Sequence, residues 1–139
     1  VTMIINESLR LYPPIATMLR KTSKNIKIGK LHVPANTHFL LPVIAVHHST
    51  EIWGEDADKF NPLRFTEPRK HLASYFPFGL GPRFCVGHNL AMAEAKIVLA
   101  MIVQLYCFRV SSTYVHAPMV LVTLQPQRGA QILFRRIAT

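Results

Sequence analysis

Acidic side chains are scarce in this sequence. Asp and Glu number 7 against 16 Lys and Arg, which leaves the 139-residue chain with a formal charge of +9. That excess suits an acidic partner. The alternative is ordinary surface charge balanced in a missing acidic portion, since the basic residues are spread from Arg10 to Arg136, those from Arg20 onward included, without gathering in one run. The basic-aromatic interleaving that stacks bases along a charged groove is also missing, which argues against nucleic acid. Cysteine is nearly absent: Cys85 and Cys107 stand alone with no C-x-x-C pair. With nothing resembling a secretory signal, a reduced compartment is expected rather than one disulfide. Long apolar runs are lacking too. The longest in the C-terminal half, Ile97 to Val103, falls far short of the roughly 20 residues a bilayer crossing needs, so this stretch is not expected to span a membrane. No repeat or low-complexity segment is evident. No cap or initiator methionine precedes the apolar stretch Val1 to Ile5, which reads as a helix cut in its middle.

Half the residues are hydrophobic, enough for one core, and one structural unit is the default. Ile4, Ile5, Leu9 and Leu11 suit a buried helix over Val1 to Tyr12, ended by Pro13-Pro14. From Ile15 to Val46 short apolar and polar groups alternate around Gly29, Pro34 and Asn36, predicting short strands joined by hairpins. His47 to Tyr75 reads as irregular coil held by Trp53, Phe60 and Phe65, with a helical turn near Ser49 to Trp53. His88 to about Leu105 has high helix propensity and only Glu94 and Lys96 as charges before Gln104, so most of its circumference is expected to be buried. The tail, with apolar runs at Met119 to Leu124 and Gln131 to Phe134, reads as a returning hairpin.

The chemistry concentrates in the loop Phe78-Gly79-Leu80-Gly81-Pro82-Arg83-Phe84-Cys85-Val86-Gly87, which leads into that second helix. The positive end of a helix and the nearby Arg83 cation favour a negatively charged, metal-ligating sulfur at Cys85. Gly81 and Gly87 let the backbone turn and lie close to a large planar ligand, loop N–H groups are placed to donate to the sulfur, and Phe78 is expected to shield it from water. Two other readings stand beside this one. Cys85 is a buried small hydrophobe, or it binds zinc with His88 two residues beyond it, although His88 lacks a partner at a recognisable ligand spacing.

The pattern F-x-x-G-x-R-x-C-x-G, filled here by Phe78, Gly81, Arg83, Cys85 and Gly87, resembles the haem-binding signature of the cytochrome P450s. A second stretch, Glu7-Ser8-Leu9-Arg10, sets Glu7 and Arg10 on one helix face, a pairing worth only about 0.2 to 0.5 kcal/mol when exposed. If the pair is buried it needs further partners, and Arg64 in Phe60-Asn61-Pro62-Leu63-Arg64-Phe65 is placed to supply one. These stretches resemble the family's E-x-x-R and P-x-R-F motifs, so that Glu7, Arg10 and Arg64 occupy a structural triad locking the cysteine loop. The family often has Glu where Leu63 stands.

The resemblance implies an α+β fold, mainly α in the parent protein. Residues 1–139 would be the C-terminal haem-binding part of a single domain: helix, small β-sheet, coil meander, cysteine loop, long helix and terminal β-hairpin. It implies haem b with Cys85 as axial iron ligand, and Arg83 and Arg20 at the haem propionates; a solvated strand residue is the plain alternative for Arg20. Ile15 to Leu19 and Met119 to Gln125 would border the substrate pocket, although the residues read equally well as core strands. His47 and His48 are taken as structural, because neighbours in a strand face opposite ways, and Trp53 as an anchor of the coil. The Tyr114-Val115-His116-Ala117-Pro118 stretch and Asn6 to Pro14 look most like plant members of the hormone- and terpenoid-modifying clan. The implied activity is insertion of one oxygen atom from O2 into a small apolar substrate, with electrons from an NADPH-dependent flavoprotein reductase. The implied place is the cytosolic face of the endoplasmic reticulum membrane, through an anchor upstream of this chain. The oxygen-activating residues would also lie upstream, leaving these residues a partial sequence, inactive alone. The rival readings are a non-catalytic haem-binding or sensor module and a truncated product that binds no cofactor.

Overall fold

The computed structural model describes residues 1–68 and 71–137; the last two residues of the tail, and two within the expected coil, lie outside the described residues. Helix α1, Thr2–Leu11, forms as expected and stops at the two prolines. Its last carbonyls have no partner within the helix. They are met from across the fold, Arg10 O by His47 Nδ1 at 3.2 Å and Leu11 O by His48 Nε2 at 2.9 Å.

Two strand pairs follow. Strands β1 (Met18–Lys21) and β4 (His38–Leu41) run antiparallel with Met18 opposite Leu41. Between them β2 (Ile26–Ile28) and β3 (Leu31–Val33) make a hairpin whose turn needs Gly29 at φ 57°. Thr22 ties the base of this excursion, donating its hydroxyl to Pro34 O at 2.8 Å and its N–H to Thr37 O at 3.0 Å. The strand pattern stops earlier than expected. Pro42 closes the sheet, and Val43–His47 is a short helix, α2, followed by α3 at Thr50–Trp53. His47 and His48 therefore sit at a helix end, and both reach the same end of α1 instead of opposite faces.

The stretch to Val86 is irregular apart from three short 3-10 turns, at Pro62–Phe65, Leu72–Ser74 and Gly81–Arg83. Aromatic rings hold it as expected. Trp53 lies 5.9 Å from Phe65, and Phe65 lies 5.0 Å from Tyr75. Trp53 Nε1 also donates to Val46 O, and the Arg10 guanidinium lies 5.1 Å over its ring.

Helix α4 spans His88–Leu105. It departs from expectation in burial: none of its residues is buried, and Leu90, Ile97, Val98 and Met101 are more than half exposed. Among the described residues the elements that pack on it are chiefly α1 and the strand that follows. By length and composition α4 is apolar enough to cross a membrane, which the shorter run from Ile97 to Val103 understated. However, its two ends are built into the fold: His88 packs against Phe78 and Phe84, and Ile137 N–H donates to Leu105 O.

The tail is not one returning hairpin. Strand β5 (Tyr106–Val110) pairs with the last strand, β8 (Ile132–Arg136), while β6 (Pro118–Val120) and β7 (Leu124–Pro126) form their own hairpin between them. The two apolar runs of the tail thus belong to different pairs. At the centre of the chain, Glu7, Arg10 and His47 are fully buried beside Val43 and Pro13.

Candidate functional site

Two facing turns of sequence make the polar centre. Glu7 and Arg10, one turn apart on α1, meet in a fork: Arg10 Nε donates to Glu7 Oε2 and Nη2 to Oε1, both at 2.8 Å. The remaining guanidinium hydrogens go to carbonyls of the meander, His47 O and Ala57 O at 2.6 Å and Lys59 O at 3.2 Å. Glu7 Oε1 accepts in addition from Asn61 N–H at 2.9 Å. Arg64 joins at 3.5 Å from Glu7 Oε1, an ion pair without hydrogen-bond geometry through a buried Nε. Its other nitrogens donate to Trp53 O and Asp56 O. The structure therefore brings together Glu7, Arg10 and Arg64, and supplies the extra partners that offset desolvation of buried charge. Leu63 is exposed, so the residue at that position leaves the triad untouched.

Asp56 and His47 complete this centre, and neither carried a signal at the level of spacing. Asp56 Oδ2 lies 2.7 Å from Arg64 Nη2, and that hydrogen bond holds its carboxyl below the usual carboxylate range. His47 is enclosed between Tyr75, stacked at 5.3 Å, and Phe76. Its Nε2 accepts from Phe76 N–H at 3.0 Å, so Nδ1 carries the hydrogen that Arg10 O accepts. Burial lowers its pKa from 6.5 to about 4, helped by the charges of Arg10 and His48. Between those values the unfolded chain binds the proton and the folded chain does not. Stability is then complete above about pH 6.5 and is lost as pH falls toward 4. Urea midpoints measured over this range should fall more steeply for the native protein than for His47→Gln; parallel curves would remove His47 from the account.

The cysteine loop leads into the N-terminus of α4. Cys85 N–H donates to Phe78 O at 2.9 Å, closing the loop on itself, and Cys85 O accepts from His88 N–H at 3.3 Å. Gly81 takes φ 69° and Gly79 φ 81°, conformations open to glycine. Gly87 does not need that freedom. It is the N-cap of α4, and a Cβ there would sit in ordinary van der Waals contact with Cys85 Sγ, at 3.9 Å. Both cysteines are free. Two expectations change here. Cys85 is exposed, although Phe78 lines the same cavity; the Phe78 ring turns edge-on to His88 at 4.6 Å. No N–H among the described residues donates to Sγ either, since the Cys85 and His88 amides are spent on carbonyls. The buried-hydrophobe reading of Cys85 does not hold in this exposed position.

Cys85 opens into a cavity of about 480 Å³ whose walls are apolar, among them Ile5, Leu9, Ile15, Phe78 and Ala91. Such a size is in the range of cofactor sites. A free thiol among apolar walls, with only the Met18 and Met92 thioethers as further sulfur, fits a flat, mostly hydrophobic metallocycle better than a bare ion, and no group of three His, Cys, Asp or Glu gathers among the described residues. Arg83 is exposed on the loop with no acidic partner among the described residues. Arg20 is elsewhere, on β1 beside a second cavity, and its guanidinium folds back on Leu19 O at 2.9 Å and the Met18 sulfur. Of the segments expected to border a substrate, the tail one meets the residue just before the other, Leu124 N–H donating to Pro14 O at 2.8 Å. Ile15 and Met18 line the chamber, so they face an opening and not a core.

The family model described as Cytochrome P450 matches residues 1–134. Curated proteins are similar over nearly the whole chain. Cytochrome P450 734A1 of Arabidopsis thaliana is 50% identical across 99% of this chain and 27% of its own length. Cytochrome P450 CYP749A22 of Panax ginseng is 50% identical across 97% of the chain and 27% of its own. Cytochrome P450 72A68 of Medicago truncatula is 43% identical, covering 100% of the chain and 28% of its own length. The chain thus spans about a quarter of the length of these relatives.

Proposed function

The chain belongs to the cytochrome P450 family, and on that premise we propose that it is the haem-holding side of a monooxygenase that inserts one oxygen atom from O2 into a small apolar molecule. The observation that carries this reading is the free Cys85 sulfur opening into an apolar chamber of about 480 Å³. Cys85 would hold the haem iron through its sulfur. When bound, haem b supplies the oxygen-activating chemistry, and the thiolate pushes electron density toward it.

The chain's residues hold and shape that centre. Arg83, exposed and unpaired by acid among the described residues, would pair with a haem propionate; Arg20 would do so only by leaving its contacts with Leu19 O and Met18. Phe78, Gly81 and Gly87 shape the cysteine loop that would receive the haem, and Ile5, Leu9 and Ala91 would exclude water from it. Glu7, Arg10 and Arg64 fix the meander that carries the loop. The rest of the whole protein covers the apolar flank of α4 and supplies the distal wall, so residues 1–139 alone do not turn over substrate. Electrons come from an NADPH-dependent flavoprotein reductase, for which the +9 charge offers a docking field. The enzyme works at the cytosolic face of the endoplasmic reticulum.

A carbon-monoxide difference spectrum of the reduced full-length protein tests the reading. We expect a thiolate-type band; an imidazole-type band, or purified folded protein that takes up no haem, would overturn it.

A further inference from the structure

The tail hairpin has little of its own to stand on. Strands β6 and β7 are 3 residues each, and no third strand joins them among the described residues. A two-stranded hairpin of that kind is marginal in water. Its tip is apolar and uncovered by this chain, with Leu121 66% and Val122 90% exposed. Among the described residues, hydrogen bonds tie this hairpin and its lead-in to α1 in two places. One is the bond from Leu124 N–H to Pro14 O. The other is a side-chain bridge: His116 Nε2 lies 3.0 Å from the hydroxyl of Tyr12, 104 residues away in sequence, and the two rings meet edge to face at 5.3 Å. His116 is aimed from within the tail, because its Nδ1 lies 2.8 Å from the hydroxyl of Tyr114, two residues earlier. A neutral imidazole donates from one nitrogen and accepts at the other, so one tyrosine hydroxyl gives a hydrogen and the other receives one. Both ties land on the short stretch from Tyr12 to Pro14, where α1 ends and the chain turns into the chamber wall. Pro14 and Ile15 line the cavity into which Cys85 opens.

We infer that His116 is a positioning residue: bridged between Tyr12 and Tyr114, it latches the β6–β7 hairpin to the lip of the chamber and so sets how closely the apolar tip approaches a bound substrate. An apolar substrate gains from every apolar wall group that meets it. A hairpin that swings away from Pro14 withdraws that wall and leaves the cysteine loop untouched, since His116 is not among the residues lining the chamber. The consequence for substrate rests on the haem reading of the chamber; the tie between the tail and α1 does not.

Hydrogen exchange on the full-length haem-loaded protein tests the latch, and two azoles test what it does. In His116→Ala the Leu124 amide should exchange about tenfold faster while amides of the β5–β8 pair keep their native rates, the pattern of a local opening. N-methylimidazole and N-dodecylimidazole carry the same iron-binding nitrogen and differ in their apolar tails. Soret shifts of His116→Ala should show native affinity for the first and about tenfold weaker affinity for the second, the scale of a misplaced apolar contact in a pocket. Tyr12→Phe should reproduce part of both changes. His116→Gln, whose amide sets a donor and an acceptor side by side, should recover most of what His116→Ala loses. Native Leu124 exchange in His116→Ala overturns the inference, as does exchange that quickens across β5–β8 as well, or a pair of azoles that respond alike. A native protein that bound neither azole would count against the haem reading, and the exchange rates would still decide the latch.

Discussion

Replacing Cys85 by Ser should remove the thiolate-type band of the reduced carbon-monoxide complex from the full-length protein and depress oxygen insertion by more than about 100-fold, which corresponds to about 3 kcal/mol of barrier. The expectation rests on the sulfur being free and open to an otherwise apolar chamber. A hydroxyl in its place is a poorer ligand for a soft site and supplies no thiolate electron density. Cys107 provides the control. It lies on β5, exposed and free, and Cys107→Ser should leave the band intact. If Cys85→Ser kept the thiolate band, some other residue would be the ligand and the loop would be only a turn.

Arg10→Ala should be the most damaging single change in the polar centre, costing about 3 to 5 kcal/mol because it strands a buried carboxylate. Typical domains have only about 5 to 15 kcal/mol in total. Arg10 fills two bonds to Glu7 and three to meander carbonyls from within a fully buried position. Arg64→Ala should also lose folded protein and haem together, by less, since Glu7 would keep Arg10 and Asn61 as partners. Asp56→Ala, which removes an outlying carboxylate of the same network, should leave haem content unchanged. Denaturant midpoints and haem absorbance on the same preparations decide the ranking; an Arg10→Ala protein as stable as Asp56→Ala would show that the network is decorative.

The Glu7–Arg10 pair and the proposed ligand Cys85 stand out in the sequence because each lies in a local pattern of fixed spacing: Glu7 and Arg10 are one helical turn apart, and Cys85 lies in a loop that bears glycines. Helices α1 and α4 were legible through period and propensity, and Trp53 through its isolation among polar residues. What escaped is set by distant partners. His47 was read as structural, yet its contacts to Arg10 O and Phe76 N–H depend on a helix where a strand was expected. The pairing of β5 with β8 spans a whole intervening hairpin, and two β-rich runs close together in sequence look like each other's partners when nothing local forbids it. The exposure of α4 was misread because an apolar helix states that something covers it, not that this chain does so.

Arg10 also acts as a ruler. By binding the carbonyls of His47, Ala57 and Lys59 at once, it measures the path of the meander in whole residues, and Glu7 adds a fourth mark at Asn61. Irregular surface segments ordinarily accept insertions and deletions with little penalty. Between residues 47 and 61 that freedom is withdrawn. One residue more or fewer would put an N–H or a side chain where a carbonyl is required, so this stretch can vary in sequence far more readily than in length.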